Sequence, residues 1–113
     1  MSATLHAFPD EVAQAERLAR ALGRPVAYVD VHAFPDGEVI PRVPTPTSTT
    51  IVYRSLNNPN AKIVELLLAA DAWRRGGVER LVLVAPYLPY MRQDKIFRTG
   101  EPVSQCVIAG VLD

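Results

Sequence analysis

The sequence predicts an α/β fold: a layered, partly parallel sheet with helices on its faces. Two observations support it. Strand-like and helix-like segments alternate, and one strand-like segment is continuously apolar. Of the 113 residues, 49% are hydrophobic and 21% are charged, which is typical of a globular protein. We therefore expect one small domain with a buried core.

The first half of the chain predicts a strand, a helix and a hairpin. Residues 4–8 are short and partly apolar, as in a strand, and apolar residues then recur at three- and four-residue steps over residues 11–22. This spacing predicts a one-sided helix that ends at Gly23. The valine-rich residues 26–31 and the later residues 38–43 flank a Pro-Asp-Gly turn, which predicts a hairpin.

The second half predicts two strands and two helices. After a proline-rich loop, residues 50–54 have the composition of a buried strand. Asn58 and Pro59 then mark the start of a long helix, with Asn58 as the capping residue, and a glycine pair ends it. Residues 81–85 are continuously apolar and predict a central strand covered on both faces. A last helix is expected within residues 102–112.

Charge and cysteine content argue against several classes of partner. Twelve Lys and Arg residues balance twelve Asp and Glu residues, so no overall positive field favours nucleic acid or an anionic membrane. The single cysteine, Cys106, has no partner for an internal disulfide, which is typical of a reducing compartment. No apolar run approaches the length of a membrane span. We expect a cytoplasmic protein with no nucleic-acid or membrane partner.

Groups suited to a nucleotide are concentrated after residue 85. In open parallel sheets, ligands bind beyond the carboxyl ends of the strands, and this segment is expected to lie there. Arg92, Lys95 and Arg98 can neutralise a polyphosphate, and the Gln93 amide can bond a base or a sugar. From spacing alone, a solvated loop between a strand and a helix is the more common explanation.

A second candidate lies in the predicted hairpin turn, at Phe34, Asp36, Gly37 and Glu38. Glycine permits a tight turn that presents an aromatic ring and two carboxylates together. The ring can stack on adenine, and the carboxylates can accept hydrogen bonds from its amino group or from a ribose hydroxyl. A plain turn without any ligand is equally compatible with these residues and is the more common case.

Other polar and aromatic residues are assigned to structure rather than to chemistry. Asp94 is expected to pair with an arginine or to cap the loop rather than to bind Mg²⁺. His6 and His32 have no second histidine at metal-ligand spacing and are expected to be packed or hydrogen-bonded. Trp73 and Cys106 are expected to be packed on helix faces. We therefore assign no metal ligand.

Together the two candidate segments resemble the ribose-phosphate pyrophosphokinases. The N-terminal domains of that family contain a Phe-x-Asp-Gly-Glu turn and, later, the run Pro-Tyr-x-x-Tyr-x-Arg-Gln-Asp; here these motifs are residues 34–38 and 86–94. The loop pattern in residues 92–104 is most similar to the archaeal-type branch. The stretch between the motifs is similar to the family at residues 57–58, 65–67 and 71–75.

The resemblance covers nearly the whole chain and implies a phosphoribosyltransferase-like layered sheet. It implies that residues 1–113 are a truncated, partial N-terminal domain of a ribose-phosphate pyrophosphokinase, with the family's C-terminal domain absent from this chain. Family members continue through a metal-binding histidine, a catalytic Lys/Arg loop and an acidic, glycine-rich loop for ribose 5-phosphate. We therefore expect the 113-residue chain alone to be inactive.

In this family ATP lies between two subunits of a homo-oligomer. The resemblance implies that one subunit contacts the phosphates and that its neighbour recognises adenine. The residues that inherit these ATP contacts are Arg92 and Gln93 on one side and Phe34, Asp36, Gly37 and Glu38 on the other. Lys95 and Arg98 are implied as catalytic cations that stabilise the transition state, and Mg²⁺ is implied as the ion that accompanies ATP.

The implied reaction transfers the β,γ-diphosphoryl group of MgATP to the C1 hydroxyl of ribose 5-phosphate, giving phosphoribosyl diphosphate and AMP. Positioning and charge neutralisation supply most of the catalysis in such transfers. The alternative is a non-catalytic relative, a nucleotide-binding or regulatory subunit that assembles with an active partner. Dependence on ribose 5-phosphate separates the two, since only the enzyme requires it.

Overall fold

The computed structural model describes residues 3–113. The strands are β1 (Ala3–Ala7), β2 (Val26–Tyr28), β3 (Asp30–Ala33), β4 (Val39–Arg42), β5 (Thr49–Tyr53) and β6 (Arg80–Val84), and the helices are α1 (Val12–Leu22), α2 (Pro59–Arg75) and α3 (Ser104–Leu112). The main sheet has four parallel strands in the order β2-β1-β5-β6, and β3 and β4 form a separate antiparallel hairpin. The predicted α/β fold is confirmed.

The carboxyl ends of the main-sheet strands meet at one edge because the strands are parallel. The ends of β5 and β6 are directly paired, with Tyr53 opposite Val84. Two backbone hydrogen bonds continue this pairing past the strands: Arg54 N–H donates to Val84 O, and Leu56 N–H donates to Tyr87 O, each at 3.0 Å. The loops after β5 and β6 therefore leave the sheet side by side.

Hydrophobic clusters cover both faces of the main sheet. The larger cluster is built on the buried α2 residues Ile63, Leu66, Ala69 and Trp73. The smaller cluster contains the buried α1 residues Ala15 and Ala19. Consecutive β5 residues Val52 and Tyr53 belong to different clusters, as the two-residue repeat of a strand requires. Within residues 3–113, no helix has the length and apolar character needed to cross a membrane.

A buried hydrogen bond joins β1 to α2. Trp73 Nε1 donates to His6 Nδ1 at 2.9 Å, and both residues are only 1% exposed. Burial lowers the pKa of His6 below its usual value of 6.5, because desolvation disfavours the charged imidazole. The prediction that these two residues are packed or hydrogen-bonded is confirmed.

Residues 26–31 do not form one strand of the hairpin. Val29 lies fully buried between β2 and β3, and its N–H donates to Ala7 O at 2.8 Å. β2 therefore pairs with β1 in the main sheet, whereas β3 pairs with β4. The hairpin itself is confirmed, but its first strand begins only at Asp30. Valine-rich alternation indicates extended backbone and does not reveal the pairing partner.

Two predictions of burial in the second half are wrong. Among the described residues β6 is an edge strand rather than a central one, since it pairs only with β5, and Leu83 is 36% exposed. Cys106 on α3 is exposed instead of buried. Both predictions used apolar composition, which indicates a preference for burial but not that a covering element is present.

Candidate functional site

The loops after β5 and β6, together with the start of α2, enclose a cleft of about 810 Å³. Its lining comes from two short segments, residues 57–60 and 86–93. The cleft lies at the carboxyl edge of the parallel sheet, where ligands bind in open α/β folds. The structure therefore places Arg92 and Gln93 on a concave surface rather than on a featureless loop.

The start of α2 forms one wall of this cleft. Pro59 occupies the first turn of the helix, as predicted. Asn58 occupies the N-cap position of α2, as predicted, and has a left-handed backbone with φ of 51°, but its side chain makes no capping hydrogen bond to a described backbone group. Asparagine adopts this conformation more readily than most residues. The Asn58 side chain lines the cleft instead.

Arg92 and Gln93 belong to a tight turn over residues 90–93. Gln93 N–H donates to Tyr90 O at 3.1 Å, which closes the turn, and Gln93 O accepts the N–H of Gln105 in α3 at 3.0 Å. Tyr90 has a left-handed backbone with φ of 61°, a conformation that costs about 1–3 kcal/mol for a non-glycine residue. Such strain persists only where the surrounding structure holds the residue.

The cleft carries an unneutralised positive charge. Arg92 is exposed, and no ion pair within residues 3–113 involves it. None of the lining residues is acidic, and Asn57, Asn58 and Asn60 contribute amide groups. Guanidinium groups bind phosphate oxygens through paired hydrogen bonds. The arrangement suits an anionic ligand that also has polar edges.

Lys95 and Arg98 lie in the exposed segment that follows the turn. The Lys95 ammonium group is 5.4 Å from the centroid of the Phe97 ring. Arg98 makes backbone contacts with Glu101: its N–H donates to Glu101 Oε1 at 2.7 Å, and its carbonyl accepts the Glu101 N–H at 3.1 Å. Neither side chain lines the cleft, so the structure does not bring the two predicted catalytic cations together with Arg92.

Phe34, Asp36, Gly37 and Glu38 form the tip of the β3–β4 hairpin. Phe34 N–H donates to Glu38 O at 2.8 Å, and Gly37, with φ of 94°, donates its N–H to Phe34 O at 3.0 Å. Asp36 Oδ1 accepts the Glu38 N–H at 3.0 Å. Phe34 is 43% exposed, and its ring is nearly perpendicular to the His32 ring, with 4.7 Å between the ring centroids. The tip thus presents a ring and two carboxylates to solvent, as the sequence predicts.

The hairpin tip and the Arg92 cleft are separate surfaces within one chain. The cleft lining consists only of residues 57–60 and 86–93, so it contains no hairpin residue. A different cavity, of about 650 Å³, lies beside the hairpin and includes Asp30, His32 and Arg42 in its lining. The two groups of predicted ATP contacts are therefore not assembled around one cleft by this chain.

A buried charged cluster beside the cleft was missed from the sequence. Arg54, which directly follows β5, is 2% exposed and forms ion pairs with Asp10, with Glu11 at 3.2 Å and with Glu65 at 2.5 Å. Its guanidinium carbon lies 4.1 Å from the centroid of the Phe8 ring. The sequence shows a charged residue at the end of an apolar strand, which is the available signal, but the partners are distant in the chain.

The charged cluster also fixes a wall of the cleft. Glu11 Oε2 accepts the N–H of Ser55 at 3.0 Å. Lys62 Nζ, at 4.0 Å from Glu11 Oε1, donates to Ser55 O at 3.1 Å and to Asn57 Oδ1 at 3.0 Å. These contacts tie the loop after β5 to α2. Asn57 is consequently held at the cleft by buried and half-buried charges rather than by the loop alone.

Comparison with known proteins decides the family of the chain. A family model described as the N-terminal domain of ribose phosphate pyrophosphokinase matches residues 5–113. The chain belongs to this family. A ribose-phosphate pyrophosphokinase of Methanopyrus kandleri is 40% identical over 95 residues, which is 82% of this chain and 33% of that protein. One of Thermococcus kodakarensis is 43% identical over 86 residues, 75% of this chain and 31% of that protein.

The fold agrees with the same family. A crystal structure of phosphoribosylpyrophosphate synthetase from Mycobacterium smegmatis superposes with a TM-score of 0.85 at 30% identity, covering 96% of this chain and 38% of that chain. The resemblance inferred from the two motifs, including its similarity to archaeal members, is confirmed. The chain spans about a third of the length of the curated relatives it matches.

Proposed function

We propose that this chain supplies the ATP-side residues of a ribose-phosphate pyrophosphokinase. The reaction transfers the β,γ-diphosphoryl group of MgATP to the C1 hydroxyl of ribose 5-phosphate and yields phosphoribosyl diphosphate and AMP. The observation that carries the proposal is the exposed Arg92 guanidinium beside Gln93 on a cleft without acidic residues. That combination attracts a polyphosphate, and in the proposal the neighbouring amides bond the rest of the nucleotide.

The hairpin tip recognises adenine across a subunit boundary in this proposal. Phe34 offers an exposed ring for stacking, and Asp36 and Glu38 offer acceptors for the exocyclic amino group or the ribose hydroxyls. Because the tip does not line the Arg92 cleft of its own chain, a site that uses both needs two copies. The proposal therefore includes a homo-oligomer with shared ATP sites.

Lys95 and Arg98 act as mobile cations in the proposal. Both side chains belong to an exposed segment and are not held at the cleft, so they would reach the phosphates when the segment closes over bound ATP. Within residues 3–113, no group of three or more His, Cys, Asp and Glu side chains is placed to hold a metal. In the proposal Mg²⁺ enters with the phosphates of ATP, where it commonly keeps several waters.

Binding of MgATP is the first test of the proposal. Isothermal titration calorimetry on the full chain should show saturable binding that Arg92→Ala weakens by about 2 kcal/mol, the contribution of a charge-assisted hydrogen bond. Arg75→Ala is the matched control, because Arg75 is exposed on α2 away from the cleft and, within residues 3–113, forms an ion pair only with Asp71, at 2.8 Å. Equal affinity in the wild type and Arg92→Ala would remove the site assignment.

A mixing experiment tests the shared site. Phe34→Ala and Arg92→Ala damage opposite sides of the proposed site, so each variant alone should lack tight MgATP binding. Random assembly of the two variants should restore about a quarter of the sites, because one interface in four then pairs an intact Arg92 with an intact Phe34. No recovery after mixing would contradict a site shared between subunits.

A non-catalytic nucleotide-binding or regulatory subunit is the alternative. It shares the family and the cleft, and it predicts MgATP binding without formation of phosphoribosyl diphosphate. A protein in which this chain is joined to the C-terminal domain of a family member should form phosphoribosyl diphosphate and AMP from MgATP and ribose 5-phosphate. Binding without turnover, under conditions where a related enzyme is active, would favour the alternative. In either case we propose a cytoplasmic location, in keeping with the lone exposed cysteine.

A further inference from the structure

We infer that the hydrogen bond between Tyr90 and Asn60 sets the position of Arg92 and Gln93, which makes Tyr90 and Asn60 positioning residues of the site. The effect of this hydrogen bond on ATP binding rests on the proposed function. Tyr90 Oη donates to Asn60 Oδ1. The bond connects the strained first residue of the turn to the first turn of α2.

Tyr90 joins three parts of the molecule. Its ring packs against the hydrophobic cluster of α2, its hydroxyl bonds Asn60, and its carbonyl accepts the N–H that closes the turn, from Gln93 at 3.1 Å. Asn60 belongs to a regular helix and gives a fixed reference point. The orientation of Tyr90 is thereby transmitted to the two residues that bear the proposed ATP contacts.

Few other contacts hold the turn. Gln93 O accepts the Gln105 N–H at 3.0 Å, and Gln105 Nε2 lies 3.4 Å from Met91 Sδ. All residues from 91 to 101 are exposed. Because Tyr90 has φ of 61°, loss of its anchor lets the backbone relax toward the favoured negative-φ regions. Such a change redirects the chain that follows, and therefore Arg92.

Amide hydrogen exchange measures the position of the turn without any ligand. Tyr90→Phe removes the hydroxyl and keeps the ring, and it should accelerate exchange of the Gln93 amide roughly fivefold, as expected for the loss of one hydrogen bond. Asn60→Ala should do the same, whereas Asn60→Asp keeps an acceptor oxygen and should preserve slow exchange. The Gly37 amide, which closes the hairpin turn, is the internal control and should not change.

Calorimetry with MgATP tests the consequence for binding. Tyr90→Phe and Asn60→Ala should each raise the dissociation constant roughly fivefold, and the double variant should be no weaker than either single one, because both remove the same bond. A defect of folding alone would lower the binding stoichiometry and leave the dissociation constant of the folded molecules unchanged.

The outcomes separate this inference from the proposed function. Unchanged Gln93 exchange in Tyr90→Phe overturns the inference, and so does faster exchange with an unchanged dissociation constant, since Tyr90 then does not position the ATP contacts. Faster exchange in a chain whose wild type does not bind MgATP supports the positioning role of the bond and contradicts the proposed function.

Discussion

Arg54 and Arg92 lie in the loops beyond two neighbouring parallel strands, β5 and β6, and their surroundings are opposite. Arg54 is buried and has three carboxylate partners, whereas Arg92 is exposed and forms no ion pair within residues 3–113. A paired, buried arginine cannot be removed without leaving a buried carboxylate uncompensated, whereas an unpaired, exposed one remains available to a ligand. The same residue type at the same edge of the sheet thus has a structural role in one loop and, in the proposed function, a binding role in the next.

The largest expected effect comes from removing the buried charge. Arg54→Met should lower the free energy of unfolding by about 3–5 kcal/mol, because the buried Glu11 carboxylate loses its arginine partner. Urea denaturation followed by circular dichroism measures this change in the free energy of unfolding. A loss below about 1 kcal/mol would place Arg54 with ordinary surface ion pairs and would remove the contrast with Arg92.

Arg92→Met should leave the stability nearly unchanged and weaken the binding of MgATP. Stability should stay within about 0.5 kcal/mol of the wild type, as for other exposed sites. The free energy of MgATP binding should fall by about 2 kcal/mol, the contribution of a charge-assisted hydrogen bond. Parallel denaturation and calorimetry on this variant measure both quantities. The contrast fails if Arg92→Met is strongly destabilised or if its ATP affinity is normal.

The buried His6–Trp73 pair should make stability sensitive to mild acid. Burial lowers the folded-state pKa of His6 below 6.5. The contribution of neutral His6 to the free energy of unfolding is therefore complete above the unfolded-state pKa. The contribution is lost as the pH falls below 6.5 toward the lower folded pKa, by at most about 1.4 kcal/mol per pH unit. Denaturation at pH 7.0 and 5.5 measures the loss, and His6→Gln, which does not titrate, is the control. Equal pH dependence of the stability of the wild type and of His6→Gln would contradict the assigned role of His6.

The smallest effect is expected at an exposed pair of α2. Arg75→Ala removes the Arg75–Asp71 ion pair, whose side chains are 80% and 65% exposed, and should change stability by no more than about 0.5 kcal/mol. The change should shrink further at high salt. A loss approaching that of Arg54→Met would mean that burial does not explain the difference between the two arginines.

The local signals in the sequence predict the helices well. Pro59 starts α2 and a glycine pair ends it, while Gly23 ends α1 with φ of 65°. Each of these signals acts on the backbone within a few residues, so sequence inspection detects it. The pairing of strands depends on distant residues instead. For that reason the change of sheet at Val29 and the edge position of β6 were not predicted.

For the candidate site as well, the sequence reveals local features but not contacts between distant residues. Arg92 and Gln93 could be located because a loop after an apolar strand falls at the binding edge of a parallel sheet. Arg54 could not be recognised, because Asp10 and Glu11 are 44 and 43 positions away in the chain. Asn57, Asn58 and Asn60 were similarly unassigned to the cleft, since only the pairing of the two loops brings them opposite Arg92. Whether this surface binds ATP stays a prediction.

Binding of MgATP at Arg92 and Gln93 can be followed by nuclear magnetic resonance of the arginine Nε–H groups and the Gln93 side-chain amide. We expect saturable shifts at Arg92 and Gln93, with Arg54 Nε unchanged because it is buried. Shifts at Arg42, in the cavity beside the hairpin, with none at Arg92 and Gln93 would contradict the account.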